Sequence, residues 1–151
     1  MSATFRKIAV GVALCALISQ GLVPTAAAGV PFRGRAQGAA TSVVPGPAGI
    51  ALAVTAQGTA THLGLFSREE HVVLNPAAGS LSGDFAFTAA NGDQLVGTLA
   101  GQFVSPSTAT GTYTFSGGTG RFASATGTAD FVLSTPDGLN FSVIFEGNLS
   151  R

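Results

Sequence analysis

The densest cluster of side chains able to do chemistry is Arg68-Glu69-Glu70-His71, with His62 a short way upstream. Two imidazoles and a carboxylate are a starting set for zinc or for acid–base work. Strand alternation puts Glu69 and His71 on one face and Glu70 on the other. A hairpin over residues 62–74 would bring His62 close to His71. The same residues read more plainly as a solvated loop and a strand start, with His71 among Val72, Val73 and Leu74. The ligand set is short and unspaced, so no metal and no other cofactor is expected.

Other motifs are weaker still. Asn91-Gly92-Asp93 is first a hairpin turn, with two positive-φ positions expected at Asn-Gly. Its aspartate is set to cap the turn; calcium wants six or more oxygens, and few stand nearby. Gly118-Thr119-Gly120-Arg121-Phe122-Ala123 matches G-x-G-x-x-A, but no long helical segment follows it, as a dinucleotide site requires. Asn140-Phe141-Ser142 and Asn148-Leu149-Ser150 match glycosylation sequons, which matter only in a eukaryotic secretory pathway.

The elements that must hold these residues follow from composition and patterning. The chain has 151 residues, 9% of them charged and 21 of them glycine, with a net charge of zero. An average soluble domain is about 25% charged. No basic cluster is available to neutralise phosphates, so nucleic acid is not an expected partner. The single cysteine, Cys15, excludes a disulfide scaffold and a cysteine-based zinc cluster.

Residues 1–28 are expected to be a secretory signal peptide. Arg6 and Lys7 precede an apolar run of 11 residues, 8 through 18, and Ala26-Ala27-Ala28 supplies the cleavage pattern, with the cut after Ala28. A membrane span needs about 20 apolar residues. Cleavage would leave 123 residues, residues 29–151, as one domain without cysteine or lysine and with a net charge of −2. The expected location is periplasmic or extracellular.

After residue 29, short alternating runs are punctuated by turn signals every 8 to 12 residues, the all-β pattern. Strands are expected at Phe32–Val43, Ile50–Leu63 with Gly58 as a bulge, Glu70–Leu74, Leu81–Thr88, Gln94–Val104, Thr110–Phe115, Thr126–Ser134 and Leu139–Leu149. From the fourth strand onward one parity is rich in Phe, Leu and Gly and the other in Thr, Ser, Asn and Asp. Glycine beside phenylalanine leaves room for a ring in a narrow interior and lets that ring cover bare backbone. An eight-stranded antiparallel up-and-down β-barrel satisfies this pattern and removes exposed edges; a two-sheet sandwich is the alternative. Asp84, Asp130 and Glu146 then lie outside, unless the barrel is inverted. In Ser116–Ala123 a glycine turn leads to one helical turn, with Phe122 plugging the barrel and Arg121 facing solvent or an acid.

Gly117-Gly118-Thr119-Gly120-Arg121-Phe122-Ala123-Ser124-Ala125-Thr126-Gly127 resembles the glycine-rich stretch of the allene oxide cyclase and dirigent barrel superfamily. The resemblance implies an eight-stranded antiparallel barrel with an apolar central cavity. Thr59–Gly64 and Ala90–Asp93 are similar to features of small secreted bacterial proteins with the same segment, a likeness running over most of residues 33–149. The plant members of the superfamily are trimers, which makes a homo-oligomer an expectation. No catalytic residue of the family maps onto this chain.

Three functions fit: a non-enzymatic secreted barrel binding a small apolar ligand, a cyclase- or dirigent-type enzyme, and a structural or surface-interaction protein with a filled core. The enzyme needs an acid or base inside the barrel. Candidate ligand-binding residues are His62, Glu69, His71, Phe85, Phe87, Tyr113 and Arg121.

Overall fold

The computed structural model describes residues 29–151; the signal peptide and its cleavage at Ala28 fall on residues 1–28, outside the described residues. Eight strands form one closed barrel: β1 (Val30–Gly46), β2 (Gly49–Ala60), β3 (Gly64–Asn75), β4 (Ser80–Ala89), β5 (Gln94–Ser105), β6 (Thr108–Gly118), β7 (Thr126–Ser134) and β8 (Asn140–Ser150). Each strand pairs antiparallel with its sequence neighbours, and β1 pairs with β8, Val30 opposite Leu149. The closed ring replaces the sandwich alternative.

The aromatic–glycine face is the inside. Across the ladders Phe32 faces Gly147, Phe66 faces Gly58, Phe85 faces Gly97, Phe115 faces Gly127, Phe131 faces Gly111, Phe141 faces Gly38 and Phe145 faces Gly34. The spacing is tight. A Cβ on Gly111 would lie 2.6 Å from the Phe131 ring tip, and one on Gly97 would lie 2.9 Å from the Phe85 ring tip. Asp84, Asp130 and Glu146 are exposed on the outside.

One end of the interior is packed solid. Phe32 stacks 5.4 Å from Phe145 and meets Phe115 edge-on at 5.1 Å. A single 3₁₀ turn, Gly120–Phe122, puts the fully buried Phe122 into the same apolar core as Leu63, Leu95 and Leu149. Arg121 stays outside, its Nε 3.5 Å from Asp93 Oδ2.

Three expectations need correction. β3 begins at Gly64 rather than Glu70. It starts early because the β2–β3 turn is short and pinned: His62 takes a positive φ of 66°, and the Thr61 hydroxyl accepts from Arg33 N and donates to Pro31 O. Gly58 is not a bulge; the register runs unbroken through Ala36, Gly58 and Phe66, and a Cβ there would crowd the Ala36 backbone at 2.8 Å. The irregularities fall instead at Ala40/Ser42, Val96/Gly97 and Phe103/Ser105. In the β4–β5 turn only Gly92 has a positive φ. Asn91 instead accepts the Asp93 N–H through its side chain, an Asx turn that needs no left-handed residue at Asn91.

Candidate functional site: a buried polar cluster under an apolar cavity

Along β3 the inward positions are Phe66, Arg68, Glu70 and Val72, with half-buried Leu74 continuing the same parity. Period-two alternation therefore carries two charged side chains into the barrel between apolar ones. Arg68 is 1% exposed and Glu70 5%. Such burial is rare for these residue types unless they are paired.

The cluster spans the interior. Arg68 Nη1 donates to the Tyr113 hydroxyl of β6 at 2.8 Å. Arg68 Nη2 lies 2.8 Å from Glu70 Oε1. That approach makes a charge-assisted contact off the ideal hydrogen-bond line, so Glu70 Oε1 is incompletely satisfied, and Arg68 Nε has no hydrogen-bond partner. The guanidinium is held among three rings, 5.6 Å from the centre of Phe87, 5.5 Å from Tyr113 and 5.6 Å from Phe141.

Burial pushes the Glu70 carboxyl above its ordinary range, and the Arg68 charge only partly opposes this. Burial likewise pushes the Tyr113 phenol up. Tyr113 is therefore a neutral hydroxyl, and Arg68 is the fixed positive charge of the cluster.

Beside the cluster lies a cavity of about 260 Å³. Arg68, Glu70 and Tyr113 form its polar part; Leu52, Val72, Leu81, Leu99, Phe131 and Leu133 are among its apolar walls. Pro106, Thr135, Gly138 and Leu139, from the β5–β6 and β7–β8 turns, also line it, so it opens at the end away from Phe122. A larger concavity of about 900 Å³ runs along the outer wall past Arg35, Gln57 and Ser67. It is open to solvent and gathers no buried polar group, so the interior cavity is the candidate site.

Of the residues expected from sequence, Tyr113 lines this cavity, and Phe85 and Phe87 pack in the core, Phe87 against the Arg68 guanidinium. The others stand elsewhere. Glu69 is exposed on the outer face of β3. His71 is also outside, its Nδ1 3.2 Å from Asp84 Oδ1. His62 sits in the β2–β3 turn, its Nε2 3.2 Å from Pro31 O. The hairpin over 62–74 does not form, since Gly64–Asn75 is one continuous strand, and His62 and His71 are not brought together. Arg121 is on the outer surface at the plugged end. Among the described residues no group of three or more His, Cys, Asp or Glu is placed to hold a metal ion.

Arg68 and Glu70 are the site residues that sequence reasoning missed. The signal was present: Phe66, Arg68, Glu70, Val72 and Leu74 share one parity, and four residues of local charge concealed it.

No protein-family model matches the chain, and neither a curated protein nor a solved structure is found to match it. Among the described residues no helix is long and apolar enough to cross a membrane.

Proposed function

We propose that this chain is an exported, non-enzymatic barrel protein that binds one small, mainly apolar molecule in the open half of its interior. One observation carries this: an apolar-walled cavity of about 260 Å³ ends on the buried Arg68, Glu70 and Tyr113. Small-molecule sites are typically mostly apolar, with a few placed polar groups, and span about 300–1,000 Å³. This cavity, at about 260 Å³, lies just below that range, so its ligand is small. Export is supported by the Arg6-Lys7 start, the apolar run over 8–18 and the Ala26-Ala27-Ala28 pattern. Membership in the allene oxide cyclase and dirigent superfamily is supported by the Gly117–Gly127 stretch.

A second reading, a cyclase- or dirigent-type enzyme, is favoured by Glu70 alone. A carboxyl that burial shifts upward from its ordinary range is better matched to general-acid work on a bound intermediate.

Native mass spectrometry of the protein with a panel of small apolar compounds tests the binding reading. A single adduct per chain is expected, lost when Leu99→Phe fills the cavity. A bare mass across the whole panel overturns it.

A further inference from the structure

Two incompletely satisfied atoms at the cavity floor are complementary. Arg68 Nε–H is a donor without an acceptor, and Glu70 Oε1 is held only by the poorly aligned approach of Arg68 Nη2, which leaves it room for a further donor. Both are buried, both residues line the cavity, and buried polar atoms are normally satisfied. Arg68 Nε and Nη2 form one edge of a planar guanidinium, the edge that matches the two oxygens of a carboxyl group. The opposite side of the guanidinium is fixed by Tyr113 through Nη1.

We propose that this floor is a carboxyl-recognition site, and that the ligand is an apolar monocarboxylic acid whose carboxyl group bridges Arg68 and Glu70. The inference rests on the binding reading above and adds the ligand's chemical class. The ligand carboxyl accepts from Arg68 Nε, and its O–H is directed at Glu70 Oε1. Two carboxylates this close cannot both be ionised. When the ligand arrives as its anion with Glu70 ionised, one proton is taken up from solvent and shared between the two carboxyl groups. No other bond is made or broken. The floor then holds one guanidinium, two carboxyls and one proton, so its net charge stays at zero.

The groups facing Glu70 agree with this. Arg68 is on its own strand, the Tyr113 hydroxyl comes from β6, and Asp84 acts from β4 through the wall. β2, β5, β7 and β8 present apolar wall residues, including Leu52, Leu99, Leu133 and Phe141.

The test is titration calorimetry of the full protein with octanoate and with octanol, in buffers of different ionisation enthalpy. At mildly acidic pH octanoate is expected to bind about tenfold or more tighter than octanol, as charge-assisted hydrogen bonds allow. Above the pH where Glu70 ionises in the free protein, octanoate binding takes up one proton per ligand, and its affinity falls about tenfold per pH unit. Octanol binding shows neither effect. The double variant R68M/E70L, which leaves no buried charge to unfold it, retains octanol and loses the preference for octanoate. Equal binding of acid and alcohol, or octanoate binding without proton uptake, overturns the carboxyl site while leaving the cavity reading intact. Failure of both ligands to bind overturns the two together.

Discussion

Arg68 of β3 and Tyr113 of β6 meet across the barrel interior, joined by a 2.8 Å hydrogen bond between two side chains almost wholly removed from solvent. The strands that carry them are not ladder neighbours. The bond crosses the interior beside the cavity, with the fully buried Phe122 and Leu149 packing the far end of the barrel.

Removing one charge of the Arg68–Glu70 pair should cost far more than removing both. Arg68→Met leaves the Glu70 carboxyl buried without its partner, at a cost of about 3–5 kcal/mol. The double variant R68M/E70L should lie within about 1 kcal/mol of the parent, or above it, because the imperfectly aligned pair contributes little net stability. Urea unfolding of the two variants and the parent checks the contrast. An additive pattern would contradict it.

Glu70 should make stability fall as pH rises. Its carboxyl titrates in the ordinary glutamate range when the chain is unfolded, and burial moves it higher in the folded protein. Between those values the native state binds more protons than the unfolded state, so the slope of unfolding free energy against pH is negative. Glu70's contribution is complete below the unfolded value and is lost as pH rises through the folded value. Glu70→Gln should remove this component, and the difference between the two pH–stability curves isolates it.

The phenylalanine–glycine pairs should be intolerant of a single methyl group. Gly111→Ala places a Cβ 2.6 Å from both the Phe131 ring and the Gly101 Cα. The resulting overpacking costs about 1–3 kcal/mol. Gly79→Ala meets nothing within 4 Å, and its penalty comes only from a φ of +65°, about 1–2 kcal/mol. Phe131→Leu should recover part of the loss in the first variant and none in the second, read by thermal unfolding of the double variants.

Asp137 should govern the cavity mouth without governing the fold. Its Oδ1 accepts from Leu139 N at 2.9 Å and Asn140 N at 2.7 Å, and its Oδ2 accepts from Asn140 Nδ2 at 2.6 Å. These bonds, the Asn140 side chain foremost, hold its carboxyl below the usual range. Asp137→Ala should speed amide hydrogen exchange at Leu139 and Asn140 while leaving the melting temperature nearly unchanged. The same loosening should appear in the parent as pH falls through the lowered Asp137 titration.

The barrel was legible in the sequence because its rule is local. Alternation of Phe, Leu and Gly with Thr, Ser and Asp over strands such as 81–88 and 126–134 identifies both strand and inner face from neighbouring residues alone. Phe122 was legible for the same reason, as a bulky ring after a glycine turn. The site was not. Arg68 and Glu70 look solvated when judged by residue type, and they become interior residues only through a partner 45 positions away in Tyr113. A register fixed by Phe66 and Val72 overrides the preference of the two charges for water. The His62 and His71 pairing failed because it assumed a turn inside a segment that β3 crosses without interruption.

The pairing of Val30 with Leu149 closes a ring in which every other ladder joins consecutive strands. Hairpins of nearby residues can form early, while this one closure must wait for almost the whole chain. Its lateness belongs to the position of the chain ends and not to the chemistry of β1 and β8. If the ends are tied together and the chain is reopened at Asn91-Gly92, the same barrel is specified with β4–β5 as its final seam. The order of assembly can thus be rewritten without altering a residue of the interior.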